Sequence, residues 1–454
     1  GEYWTDIGLS YGSLQGIDSP GELRLAKRVS NAGSGVAWDI IPINQTQLDT
    51  SIQMVIALDQ TSFSQWSLIS DSSKNSFSDR EGPIVSNISF VPLLPSHGTD
   101  VTVAATITDH SGVSEAQLYY GYAGDWNYLA GAMSANSDTF YYSIPGQYVT
   151  FHGLSFFIDS KDQNQYSSIS DTIHHEVHFD DGVITTANVQ DAAFSVIAPN
   201  VWRLISLPSI PDDPAVELNL GDELGQPDSL VWRIFSFEDS AYVSNPVDLN
   251  AGEGYWLYHR SDNSLLFDMS SGRTGDLSGT SLNVKAGQWA FIGSPYSFSL
   301  SIDLDQSVFY GPITYGLINE GWTDIVNTLQ PWSGYAVYNR SDADQTIELD
   351  PLNGISVQTA KLDTEVGWKV ILMASSGIYN DIYNRIGCSE YAEDAIDHRD
   401  NPELKAPGSS VSLSFVVPEN ENDRFTSDIR AMNDDVKIFD ARILTKDIEG
   451  TIIL

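Results

Sequence analysis

The chain has 454 residues, 61 acidic against 22 basic, for a formal net charge of −39, and a field of that sign repels phosphate backbones and anionic headgroups, which excludes nucleic acid as a partner. It holds no apolar run of about 18 residues, so membrane insertion is not expected, and it is too long for one hydrophobic core, so several domains of about 100–150 residues are. Cys388 is the only cysteine, which leaves no intrachain disulfide and gives the cores alone the task of holding the domains.

Period-two patterns dominate from one end to the other. "DVTVAATITD", "AQLYYGYA", "SVSLSFVV" and "VKIFDARI" alternate apolar and polar residues, with turn clusters such as "DHSG", "NAGSG" and "MSSGRTGDLSG" between such runs. Only "AVELNLGDELG" and "CSEYAEDAI" read as helix candidates. The expectation is an all-β chain of several β-sandwich domains, immunoglobulin-like or jelly-roll-like, arranged in series as an elongated rod.

In chain order, residues 1–82 form an N-terminal β domain that closes on the polar stretch "SDSSKNSFSDREGP". Residues 83–182 carry paired Pro92 and Pro95, the "TDHSGV" turn, the "LYY" strand and "FFIDSKDQN". That pattern resembles the immunoglobulin-like or fibronectin-type modules of secreted bacterial proteins, which implies spacing and presentation rather than chemistry. Residues 183–279 and 280–357 then read as two copies of one unit. "WRLISLP" is echoed by "WAFIGSP", and "GYWLYHRSD" by "GYAVYNRSD", with a second Trp (Trp232, Trp322) between the anchors of each copy. Residues 358–454 form a C-terminal β-sandwich.

The tandem units, with "GWKVILMAS", "CSEYAEDAIDHRDNPELKAPGSSVSLSFVV" and "DVKIFDARIL" after them, resemble modules of large secreted multidomain proteins of Bacteroidetes-type bacteria, many exported by the type IX secretion system. The resemblance implies an extracellular or outer-surface location on a Gram-negative bacterium and a parent protein that carries a sorting tail and, often, a catalytic domain. Neither is seen in this chain. Gly1 in place of an initiator Met is expected of a processed product.

Two segments offer metal ligands. In "HHEVH", His174, Glu176 and His178 would share one face of a strand, as a two-histidine, one-carboxylate site requires, although the spacing is not that of a helical HExxH zinc site. A solvated edge strand or polar linker is the competing reading. In "EDAIDHRDNPE", Glu393, Asp394, Asp397, Asp400 and Asn401 supply oxygen ligands dense enough for a calcium loop, without EF-hand spacing, and an ordinary acidic surface loop is the favoured reading of the same residues. Calcium is the one cofactor this composition suggests.

Nucleophilic catalysis has no motif behind it, since G-x-S-x-G and phosphate-binding glycine loops are both missing from the sequence and Cys388 reads as a buried thiol. The aromatic content suggests sugar stacking. Trp202, Trp289, Trp232 and Trp322 recur in matched positions and read as core, which leaves Trp256, Trp126 and Trp332 as the candidate exposed platforms. Trp256 and His259 of the first copy are replaced by Ala336 and Asn339 in the second, so the echo reads as a strand and turn built twice, with Arg260–Asp262 and Arg340–Asp342 closing matching hairpins.

The sequence therefore leads to a non-enzymatic, secreted or cell-surface structural or adhesion protein, self-associating into a filament or surface layer or binding other surface proteins. The alternatives are the accessory region of a secreted peptidase or polysaccharide hydrolase, and a carbohydrate-binding module.

Overall fold

The computed structural model describes the chain apart from residues 1–4, 15–16, 18, 30–36, 62–63, 71–80, 123–126, 189–195, 227, 317–320, 353–366, 398, 417–423 and 449–450. The fold is all-β and multidomain, built of small sheets that are antiparallel but for one parallel pair. At the N-terminal end, two three-stranded sheets enclose Leu25, Ile41, Val55 and Ala57. The strand Met54–Gln60 shows how: Val55 and Ala57 face the core while their neighbours do not, as period-two alternation dictates.

A sandwich follows. One sheet contains Ile84–Val91, Val101–Thr108, Thr139–Ile144 and Ser134–Asn136; the other contains Leu129–Ala132, Val113–Gly121, Leu154–Asp162, Ser167–Ile169 and Ile173–His175. Val101, Val103, Ala105 and Ile107 point inward from the first sheet against Leu118, Phe156 and Ile158 of the second. Each large aliphatic buried this way contributes roughly 1.5–3 kcal/mol.

The first copy of the duplicated unit places Arg203–Ile205, Tyr255–His259, Trp232–Glu238 and Ala241–Ser244 side by side in that order, and the second copy places Trp289–Gly293, Gly334–Asn339 and Phe309–Ile313 in the corresponding order. The helix Val216–Leu224 fulfils the expectation for "AVELNLGDELG": Val216, Leu220 and Leu224 recur at helical spacing on the buried face, and Gly225 ends the helix at φ +73°. "CSEYAEDAI" is not helical. Cys388 instead sits within the strand Tyr379–Ser389, held between Trp368 and Arg430 of its neighbours, so sheet pairing overrides the local helical pattern.

In the C-terminal domain, Gly367–Ser376 and Tyr379–Ser389 form a hairpin extended by the parallel strand Ser427–Ala431, and this sheet packs on the pair Ser410–Val416 and Asp440–Lys446. Ala374, Val411, Leu413 and Phe415 form its core.

Candidate functional site

The two copies match in the backbone pairing of their central strands, and the match starts at the glycine of each Gly-Tyr pair. Ile205 faces Tyr255 within the first copy, as Ile292 faces Tyr335 within the second. The same two isoleucines also reach across: Ile205 bridges Ser333 of the second copy, and Ile292 bridges Glu253 of the first. Reciprocal hydrogen bonds run from Ser206 N to Trp332 O (3.3 Å) and from Gly293 N to Gly252 O (2.9 Å). The glycines are required by this close approach, since a Cβ on Gly334 would lie 2.6 Å from Ile205 O and one on Gly254 would lie 2.9 Å from Ile292 O. The copies therefore interlock about a local pseudo-twofold axis instead of following one another as separate beads.

Each copy also lends its partner a tryptophan. Trp256 of the first copy is fully buried and stands edge-on to Tyr315, Trp322 and Phe291 of the second, with ring centroids 5.0, 5.6 and 6.1 Å away. Trp332 of the second copy, 2 % exposed, lies in the first copy's core with Ile205, Tyr255 and Phe267. Its φ of +64° matches the +86° of Gly252 at the equivalent turn, so the second copy tolerates a left-handed tryptophan where the first has glycine. Neither residue is the exposed stacking platform expected of it, because the interlock needs both indoles as filling. Trp126 lies outside the described residues.

The register also corrects the pairing of the second tryptophans. Trp232 lies opposite His259, and the residue opposite its counterpart Asn339 is Phe309. Trp322 bridges Tyr315 as Tyr242 pairs with Phe237, so Trp322 corresponds to Tyr242. These two equivalent residues close the site. Trp322 Nε1 donates to Leu404 O at 3.0 Å, and the Tyr242 hydroxyl donates to Lys405 O, so residues 402–408 of the C-terminal domain lie across the aromatic face shared by the copies. Gly408 lies so close to Trp202 that a Cβ would overlap the indole. Leu404 and Ala406 complete the cluster.

The two expressive positions of the opening echo have one task. His259 Nε2 hydrogen-bonds Ile197 O (3.1 Å), and Asn339 Nδ2 donates to Val284 O (2.9 Å), equivalent carbonyls on equivalent segments. Both side chains are fully buried, and burial lowers the pKa of His259. The Arg-Ser-Asp turns do not close hairpins. Gly334–Asn339 pairs with Trp289–Gly293 and Phe309–Ile313, while the strand after the turn, Gln345–Leu349, pairs with Thr280–Val284 in another sheet, so the turn is an arch between sheets.

The histidine cluster is a junction. The strand Ile173–His175 belongs to the sandwich, the chain breaks pairing at Glu176 and Val177, and His178–Phe179 joins a sheet with Gly272–Arg273. His174 hydrogen-bonds Ser155 (2.8 Å), Glu176 pairs with Arg273 (3.0 Å) and His178 with Asp212 (3.0 Å), so each of the three side chains has a different partner and they are not brought together as a cluster. At the break Val177 is buried and its backbone N–H donates to Thr274 Oγ1 at 2.8 Å.

The acidic loop is likewise engaged in its own backbone. Asp397 accepts from Glu393 N and Arg399 N, Asp400 from Asp397 N and Ile429 N, and Asp394 pairs with Lys437, while Asn401 accepts from Arg340. Burial raises Asp400 to about 7. These ligands do not converge on one point. Among the described residues, the converging carboxylates are Asp222, Glu223 and Asp268, with oxygens within 4.8 Å of one another. Burial, then Asp222, raises Glu223 to about 8 and Asp268 to about 6, so near neutral pH the cluster keeps a proton that relieves its repulsion. Sequence reasoning missed this group because Asp268 joins the helix end only through tertiary packing. Cys388 is buried, and burial raises its thiol pKa, the opposite of an activated nucleophile.

No family model matches the chain, and no curated protein matches it. Among solved structures, a tetra-tandem repeat from the extending region of a large adhesion protein aligns over 81 % of this chain and 92 % of its own, at 10 % identity and a TM-score of 0.21. A cycloalternan-degrading enzyme from Trueperella pyogenes in complex with isomaltose aligns over 40 % of this chain, at 11 % identity and a TM-score of 0.18, so this chain spans only 29 % of that protein's length. Scores this low carry no argument about function.

Proposed function

We propose that the chain is a non-catalytic structural or adhesive element of a secreted or outer-surface bacterial protein, in which the duplicated unit is a rigid connector. The observation that carries this reading is the closure of the aromatic face: the indoles and phenols available for ligand contact are spent on joining the two copies to each other and to residues 402–408. Self-association is the second part of the proposal. The strand Gly367–Ser376 is paired along one side with Tyr379–Ser389, whereas its other side meets Ile453 at Ser375, and Trp368, Val370, Ile371 and Met373 stand exposed beside it. An apolar edge of that kind invites another strand.

Light scattering on the full chain over a concentration series, with electron-microscope grids of the same samples, tests the reading. Growth to larger species that is abolished by Val370→Lys supports it. A monomer at every concentration overturns the assembly half. Turnover of casein or mixed polysaccharides by the purified chain overturns the non-catalytic half.

A further inference from the structure

The pseudo-twofold axis relates two sides of the interlock, and one glycine sets them apart. Phe235 faces Trp256 as Ile313 faces Ala336, so Glu238 of the first copy is equivalent to Gly316 of the second; by the same register Trp289 is equivalent to Trp202. Where the second copy meets the first, Gly316 lies against the backbone of Trp202, and a Cβ there would stand 2.1 Å from Trp202 O. Where the first copy meets the second, Glu238 brings a Cβ to the equivalent position, and that contact cannot form. The closed side therefore has an open counterpart, a groove of about 690 Å³ beside Trp289.

Phe237 and Glu238 of the first copy border the groove on one side, residues 281–283 of the strand Thr280–Val284 and 288–292 of the second copy on the other, and Glu253, bridged to Ile292, joins them. The volume lies within the ~300–1,000 Å³ usual for small-ligand sites. Among the described lining residues, three carboxylates (Glu238, Asp239, Glu253) stand against one cation, Lys285, which Asp239 holds at 2.6 Å. An anion entering here meets repulsion and no free positive charge.

The polar groups are held in place with capacity to spare. Ser236 Oγ donates to Glu238 Oε1 (2.8 Å) and the Tyr255 hydroxyl to Glu253 Oε2 (2.8 Å), which leaves the second oxygen of each carboxylate to accept from a ligand. Asn283 and Gln288 line the same groove, and their side-chain amides make no hydrogen bond to any described residue. Carboxylates only accept, whereas amides donate and accept, so the set is matched by an uncharged ligand rich in hydroxyls, which do both. Half-buried Trp289 and Leu282 add apolar contact for its carbon skeleton. We infer that the groove between the copies is a binding site for a neutral saccharide. Gly316 closes the equivalent side, so the duplicated unit carries one such site. The inference goes beyond the connector reading and does not rest on it.

A glycan array carrying neutral and uronic-acid oligosaccharides, probed with the labelled full chain, tests the inference, followed by titration calorimetry on the glycans retained. Neutral glycans are expected to bind and acidic ones to be left unbound. Asn283→Ala combined with Gln288→Ala should weaken binding by about tenfold or more, or about 1.4 kcal/mol. Asn283→Trp, which fills the groove from an exposed strand position, should abolish it. Gln47→Ala, which removes an exposed amide from the N-terminal domain, should leave it unchanged. Thermal unfolding of each variant should match the wild type, which separates lost binding from a lost fold. Absence of binding to every neutral glycan, equal binding of acidic ones, or binding unchanged in Asn283→Trp would each overturn the assignment. Capture of an oligolysine peptide, abolished by Asn283→Trp and with no glycan bound, would overturn it in favour of a basic peptide. None of these outcomes reaches the connector reading, which rests on the closed aromatic face and is tested by assembly.

Discussion

The two copies of the duplicated unit teach what duplication conserves. Tyr255 and Tyr335 each accept a hydrogen bond at 2.8 Å from the backbone N–H of the equivalent residues Asn250 and Gln330. Arg260 N and Arg340 N each donate at 2.8 Å to the equivalent carbonyls of Val231 and Val308. These backbone hydrogen bonds are thus kept while side-chain identity drifts. Bulk is exchanged rather than kept. Leu204 faces Trp256 in the first copy and Phe291 faces Ala336 in the second, so the large member of each cross-strand pair has changed strand. Phe291 then stacks on Phe237 at 4.9 Å, in the space that a tryptophan at position 336 would claim. Two tryptophans facing each other across the pseudo-twofold axis would overfill the site; one tryptophan and one alanine fill it.

The sharpest way to break this asymmetry is Trp256→Ala. With alanine at both equivalent positions, the aromatic cluster loses its central ring, and a loss of roughly 3–5 kcal/mol in unfolding free energy is expected by urea denaturation. The residue is buried, so the variant should lose stability and not a surface function. The converse, Ala336→Trp, should cost about 1–3 kcal/mol by overpacking. A neutral Ala336→Trp would show that the exchange of bulk is accidental.

Trp332→Gly makes the second copy's turn resemble the first. It removes an indole from the first copy's core but also relieves a left-handed tryptophan, a strain of roughly 1–3 kcal/mol. The net loss should therefore be smaller than for Trp256→Ala, about 2–4 kcal/mol. A loss equal to or larger than that of Trp256→Ala would mean that the positive φ is not strained here.

Much of the architecture is legible in the sequence. Alternation at Val101–Thr108 and Met54–Gln60 marks strands because side-chain period and burial coincide there. The duplication was legible from glycine, tyrosine and turn residues, since these meet backbone demands that each copy repeats. The interlock was not, because nothing in a linear pattern distinguishes a core within one copy from a core shared by two; Trp256 and Trp332 looked like unpaired aromatics for that reason. The histidine cluster misled for a related cause. Period two places His174, Glu176 and His178 on one face only if one strand carries all three, and Val177 takes the chain from one sheet to the next between them. The carboxylates Asp222, Glu223 and Asp268 and the groove beside Trp289 are assembled by contacts between distant segments, which no local motif encodes.

His259→Asn installs the second copy's residue in the first. Because both side chains serve an equivalent carbonyl, stability near pH 7.5 should change by less than about 1.5 kcal/mol, the net value of one hydrogen bond. The pH dependence should change more clearly. Burial lowers the folded-state pKa of His259 below 6.5, so the unfolded chain binds the proton more readily, and the contribution of this group is fully present above that value and is lost as pH falls below it. Thermal denaturation between pH 7.5 and 5 should show wild type losing more stability on acidification than His259→Asn. Parallel curves would overturn the shared role.

The smallest expected effect tests the clamp on residues 402–408. Tyr242→Phe keeps the ring against Phe237 and Phe291 and removes only the hydroxyl that donates to Lys405 O. One neutral hydrogen bond to a carbonyl is worth about 0.5–1.5 kcal/mol. Its equivalent, Trp322→Phe, loses the donor to Leu404 O together with part of the indole surface packed on Trp256, so it should cost more. The two donors serve adjacent carbonyls, and if they act as one clamp, the double variant should lose less than the sum of the singles, because the segment is already loosened by the first change. Strict additivity in a double-mutant cycle would mean that each copy holds the C-terminal segment independently, and that the pseudo-twofold axis ends at the aromatic face instead of extending through the peptide that covers it.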